Sequence, residues 1–282
     1  MRRSAIVTLV LSVLAIPASG QSILRNAWSD VKNGALDVGY VWTSPFRLSQ
    51  RDLPALGMVA GATGVAFAFD DNLQDWLRAH PESIPVDAVR WFRHDKRGEE
   101  LGDIWKFIRG SGALWLVGLA VGSETLREAA VGCATAGVAQ TFPRRIVMYN
   151  LVQRTRPQFT DDPYRFDVPG KKEWGQRSFF GGHAANAMTC ITFWNHRFDL
   201  GLVEPLLYAA GIATGLARTV DEAHWTSDTV IGIAFGYAVG RTVALRQKSR
   251  QSAAGERVEE EKGVELNYLG NGRVAIGWRY KL

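Results

Sequence analysis

The sequence predicts an all-α fold, a bundle of about six core helices followed by a small C-terminal β-hairpin. Two observations predict it. Apolar runs rich in Gly and Ala recur along the 282 residues, at 56–69, 112–122, 129–138, 183–194, 202–217 and 226–245, and polar segments separate them. Strict alternation is confined to the end of the chain. There Val264, Leu266 and Tyr268, then Val274, Ile276, Trp278 and Tyr280, flank Leu269-Gly270-Asn271-Gly272. Asn-Gly between alternating apolar residues is a strong hairpin signal.

Composition narrows the classes. Hydrophobic residues make up 46%, charged residues 22%, and mean hydropathy is −0.08. These values exclude a disordered chain, a collagen-like repeat and a disulfide scaffold. They also argue against many long Leu- and Ile-rich spans. The length fits one large domain, or one domain with appendages.

Taken in order, the chain opens with Arg2 and Arg3, an apolar stretch over 5–16, Pro17 and the small residues Ala18-Ser19-Gly20. That is the layout of a secretory signal peptide cleaved after Gly20. It is shorter than the roughly 20 residues that span a bilayer. The protein is therefore expected in the cell envelope, periplasmic or peripheral to the membrane, with an integral membrane protein as the alternative. Removing two arginines and no acid lowers the formal charge from +5 to +3. No Lys/Arg block marks a nucleic-acid surface, so nucleic acid is not expected as a partner.

Residues 21–52 are mixed, with Trp28, Tyr40 and Trp42 as aromatic anchors, and the run at 56–69 stops at Asp70-Asp71. Residues 79–103 read as a short helix and loops. Residues 144–155 look helical and end at Arg156-Pro157, because a proline disfavours helix in the residue before it. Residues 158–177 form a polar loop. The expected layout is a signal peptide (1–20), a helical domain (21–246), a charged linker (247–263) and the hairpin (264–282). Cys133 and Cys190 sit in apolar stretches and read as two buried thiols, although an exported protein could pair them. Neither has metal-site spacing. Gly232, Gly236 and Gly240 form a small-residue stripe suited to close helix packing.

Three short segments carry the chemistry. They are Arg154-Thr155-Arg156-Pro157, Ser178-Phe179-Phe180-Gly181-Gly182-His183, and 218–228 with Arg218, His224 and Asp228. His224 and Asp228 are four apart, so on a helix they share a face, and the carboxylate is expected to accept the Nδ1–H of His224. His183 follows two glycines and opens an apolar helix, the usual setting of an anion site. Arginine forks match phosphate oxygens. Two His, one Asp and two Arg between apolar helices point to phosphoryl chemistry.

In order and type these segments resemble the three-part motif of the phosphatidic acid phosphatase type 2 (PAP2) superfamily. Its pattern is Lys, six residues, Arg-Pro; then Pro-Ser-Gly-His; then Ser-Arg, five residues, His, three residues, Asp. Arg156-Pro157, Gly182-His183 and the set Arg218, His224, Asp228 match. The departures are Tyr149 at the Lys, Gly181 at the Ser of the second segment, Phe180 at its Pro, and Ala217 before Arg218. The resemblance implies a PAP2-like helical bundle and a metal-independent phosphomonoesterase acting on a lipid phosphate or small phosphoester. It would work through a phosphohistidine on His224, with Asp228 orienting it and His183 as acid and base. Arg156, Arg218, Gly181 and Gly182 would bind phosphate, with Arg145 as a further candidate for the missing Lys. No metal and no cofactor are implied. The alternatives are a PAP2-fold protein without catalysis and a vanadium-dependent haloperoxidase-like enzyme, in which vanadate takes the phosphate pocket. The expected partners are the phosphorylated substrate and a membrane surface.

Overall fold

The Gly/Ala-rich runs fold as helices, and small residues set how closely they pack. The computed structural model describes residues 20–93, 97–167, 175, 177–198, 200–261, 264–268 and 274–278. Residues 1–19, where a signal peptide is expected, and the expected hairpin turn lie outside the described residues. The helices are α1 (Gly20–Trp42), α2 (Leu53–Ala68), α3 (Asp70–Ala79), α4 (Ile84–Ala88), α5 (Ile104–Ala120) and α6 (Glu124–Phe142). A π-helical turn, Pro143–Met148, continues α6 into the short α7 (Tyr149–Leu151). Then follow α8 (Gly182–Arg197), α9 (Val203–Val220) and α10 (Thr226–Glu261). The fold is all-α, as the sequence predicts, with small two-stranded sheets as its only β-structure among the described residues.

Local chemistry sets several boundaries. Asp103 caps α5 by accepting from the Trp105 and Lys106 amides, and Ser123 caps α6 through the Leu126 amide. Residues 144–155 are helical only as far as Leu151. Gln153–Arg154 instead form strand β1, paired antiparallel with β2 (Phe166–Asp167). The Thr155 hydroxyl donates to Asp167 at 2.8 Å and holds the loop between them closed.

The chain divides into two compact units, Met1–Ala244 and Leu245–Leu282. In the first, α6 packs against α1, α5 and α8, and α8 packs against α9. Its core joins Cys133, Ala136 and Ala139 of α6, Cys190 and Phe193 of α8, Val239 and Val243 of α10, and Val41 of α1. A Cβ added at Gly232, Gly236 or Gly240 would come within 2.6, 2.4 and 2.3 Å of the carbonyl oxygens of Gly181, Ala185 and Thr189. The glycine stripe is thus the seam along which α10 meets α8 backbone to backbone.

Two expectations are corrected. Cys133 and Cys190 are not free thiols: they form a disulfide between α6 and α8, with Cα atoms 4.9 Å apart. Gly132, which admits the Phe193 ring, lets those helices approach closely. The segment expected to be a charged linker is helical through Glu261. Its Arg, Gln, Lys, Ala and Glu residues are strong helix formers, so charge here marks a solvated helix and not a break.

In the second unit, β3 (Val264–Tyr268) and β4 (Val274–Trp278) pair antiparallel, Leu266 opposite Ile276, which is the hairpin the alternation predicts.

Helix α2 differs from the rest. It has no charged residue and no buried one. Among the described residues, one helix, Thr226–Ala253, is long and apolar enough to cross a membrane. The pair α2 and α3 passes the same test together, bent by 56°.

Candidate active site

The three segments converge where α8 and α10 begin. His224 sits in the turn between α9 and α10. The Arg218 carbonyl at the end of α9 accepts from the Ala223 and His224 amides, at 3.0 and 3.3 Å. Glu222 in this turn has φ of 56°, a left-handed conformation costly for a non-glycine residue. It is held by Arg78, whose Nε and Nη2 fork onto the Glu222 carboxylate at 3.1 and 3.0 Å. Arg93 Nε donates to Asp221 at 2.8 Å. The His224 turn is therefore clamped by two arginines from earlier in the chain.

His224 is 2% exposed. Its Nδ1 lies 2.7 Å from the Ser178 carbonyl oxygen. A carbonyl can only accept, so Nδ1 carries the proton and Nε2 keeps the lone pair.

The expected His224–Asp228 bond is corrected here. α10 starts at Thr226, so His224 precedes the helix and the i, i+4 geometry does not apply. Asp228 accepts instead from the Ser178 hydroxyl at 2.5 Å, from Arg154 Nη1 at 2.8 Å and from the Trp225 amide at 3.2 Å. The last is the return half of a capping box. Asp228 thus reaches His224 through Ser178.

Arg154, wholly buried, bridges two wholly buried carboxylates, Asp228 and Asp70 (2.7 Å). Its guanidinium lies 4.8 Å from the Phe67 ring centroid and 5.3 Å from that of Trp225. Asp70 also accepts from the Ser227 amide at 2.9 Å and its hydroxyl at 2.5 Å, tying the first turn of α3 to the first turn of α10.

A cavity of about 450 Å³ opens on the α8 N-terminus. Its lining includes Gly182, His183, Arg156 and Arg145 of the expected residues, together with Arg144, Arg177, Asn186 and Asp103. His224, Arg218, Gly181 and Asp228 do not line it. Burial, then Arg218 and Arg144, push His183 down to about 3, while Asp103 opposes. Burial foremost, then Arg156 and Arg218, also holds His224 well below the usual histidine range, and burial raises Asp228. The two histidines and the guanidiniums of Arg156 and Arg218 thus share one electrostatic field. Gly181 is a second correction. Its amide donates to the Asp228 carbonyl at 2.8 Å, so it is spent on holding α8 to α10. Beyond it, the first amides of α8 have no acceptor within the helix.

The sequence assigned no role to Asp70, Arg154, Ser178, Arg144 and Asn186. Arg154 and Ser178 lie inside the motif segments and were legible as polar residues beside them. Asp70 had only the abrupt end of an apolar run as a signal. Asn186 donates to the Gly102 carbonyl at 2.7 Å and bonds to Gln140, links that only the tertiary structure makes. Among the described residues, no group of three or more His, Cys, Asp or Glu could hold a metal ion.

The site thus gathers two histidines held largely neutral by burial, with the arginines that surround them, at the N-terminus of α8. The PAP2 superfamily model matches residues 128–251, which contain all three motif segments. The match suggests phosphatase-type activity. No curated protein and no solved structure gives a match.

Proposed function

We propose that the protein is a metal-independent phosphomonoesterase that works through a phosphohistidine. The observation that carries this is the His224 Nδ1–H bond to the Ser178 carbonyl, which leaves Nε2 as a fixed, unprotonated nucleophile. The phosphate enters through the cavity and is held between His183, which lines it, and His224 behind it, with Arg156 and Arg218 on its equatorial oxygens and the Gly182 end of α8 facing it. His224 Nε2 attacks phosphorus as the P–O bond to the leaving group breaks, and His183 donates its proton to the departing oxygen. His183 then takes a proton from water, the water oxygen attacks phosphorus, the P–N bond breaks and inorganic phosphate leaves. Asp228 positions His224 by fixing Ser178. A bound phosphate dianion offsets the guanidinium field and lets His183 carry its proton.

A lipid phosphate is the substrate class favoured by the exposed apolar helix α2. At about 24 Å, from 1.5 Å per residue, it falls short of a bilayer core of roughly 30 Å. It therefore fits insertion into one face of the membrane. The Cys133–Cys190 disulfide supports export to an oxidising compartment, in keeping with the leader-like residues 1–20.

The test is hydrolysis of p-nitrophenyl phosphate and a lipid phosphate by His224→Ala, which should fall to background; retained turnover overturns the assignment. The pH profile of wild-type kcat/KM gives the sign. Because His224 is held below its ordinary 6.5, it stays unprotonated and nucleophilic under mildly acidic conditions. The acid limb that it sets therefore lies below pH 6.5.

A further inference from the structure

We propose that Arg144, which follows directly on α6 at the start of the π-helical turn Pro143–Met148, is a phosphate-binding residue of this site. The inference rests on the phosphate-site reading above. Arg144 is 3% exposed and lines the cavity with His183 and Arg156. Its guanidinium lies over Gly182, the first residue of α8. A Cβ added there would meet Nη1 at 2.5 Å, Cζ at 3.0 Å and Nη2 at 3.4 Å. Gly182 is thus the gap through which the fork reaches the helix N-terminus. The fork is aimed from behind, since Arg144 Nε faces Gln140 Oε1 at 3.4 Å and Gln140 bonds Asn186 within α8. Arg144 is also among the charges that depress His183.

A nearly buried guanidinium set against the positive end of a 16-residue helix, with Arg156 on the same cavity, is an arrangement of like charges. An anion in that cavity complements these guanidiniums. Among the described residues of the lining, Asp103 is the acidic group.

Arg144 lies five residues before Tyr149, the position where the resemblance expects Lys, and supplies a cation to the cavity from the same segment of the chain. Arg145, proposed from the sequence for this part, is exposed at the cavity rim.

The experiment measures inhibition by inorganic phosphate and orthovanadate, and kcat and KM on p-nitrophenyl phosphate, for the full-length wild type, Arg144→Ala and Arg144→Lys. A lost charge-assisted contact predicts a rise of about 10- to 100-fold in both inhibition constants and in KM for Arg144→Ala. Added guanidinium ion should restore part of this, which a purely structural role would not permit. If Arg144→Ala does not fold, the Arg144→Lys constants decide, with a smaller rise in the same direction expected. Inhibition constants equal to wild type overturn the role of Arg144 alone. A wild type that neither hydrolyses phosphoesters nor binds phosphate or vanadate by calorimetry overturns the phosphate-site reading, and this inference with it.

Discussion

At the scale of single residues, His224 is oriented by a backbone carbonyl, and the carboxylate four residues on acts one step removed. The chain of contacts runs from Asp70 through Arg154 and Asp228 to Ser178, and from there to His224. Asp70 lies outside the segment matched by the superfamily model, yet it holds both Arg154 and the first turn of α10. Removing it leaves a buried guanidinium short of one carboxylate and two Ser227 donors without an acceptor. Asp70→Ala should therefore lose about 3–5 kcal/mol of stability. It should also lower kcat with little change in KM, because His224 loses its aim while the phosphate contacts remain. Urea unfolding together with steady-state kinetics reads both, and wild-type values in the two would refute the network. Asp228 was legible as a partner of His224 by spacing. That it works through Ser178 was not, because the helix starts two residues after the histidine.

At the scale of elements, α8 and α10 build the site and α2 stands apart. The glycine stripe was readable from spacing alone, and its partner surface on α8 is what the structure adds. Gly232 sits against Gly181, so the same close crossing that fills the core also sets the distance between the second and third motif segments. On α2, apolar side chains point outward at every turn: Leu56 is 44% exposed, Met58 70% and Val65 62%. A protein partner would cover one face of such a helix, whereas lipid covers it all round. Replacing Leu56, Met58 and Val65 together by Gln should leave unfolding unchanged within about 0.5 kcal/mol per site, as for surface substitutions. It should abolish flotation with anionic phospholipid vesicles and slow turnover of a lipid phosphate more than that of p-nitrophenyl phosphate. Flotation equal to wild type would remove α2 from the membrane reading.

At the scale of the whole molecule, the first unit is a set of thin, small-residue helices held by few large side chains, and its α6–α8 contact is covalent. The bridge closes a loop of sequence separation 57. Chain-entropy arguments value a closure of that length at about 4 kcal/mol. The double variant Cys133→Ala/Cys190→Ala should unfold at clearly lower urea concentration than the oxidised protein, and dithiothreitol should bring the wild type down with it. Coincident transitions for oxidised and reduced protein would contradict this. The matched superfamily segment begins in α6 and ends in α10, so the bridge lies inside it and braces the helix that carries His183.

The sequence by itself determined the all-α class, the C-terminal hairpin, the three chemical segments and the resemblance to the superfamily, because these depend on periodicity and on spacing along the chain. The tertiary structure decided the rest, because it depends on which residues distant in sequence become neighbours. Cys133 meets Cys190 only where α6 crosses α8, and Asp70 meets Arg154 only where α3 meets the start of α10. Arg144 lies over Gly182 only where the end of α6 meets the start of α8, a contact that no residue type in 143–148 announces. His224 owes its tautomer to a carbonyl 46 residues earlier, and a carbonyl is the one group that every residue carries and no sequence pattern marks.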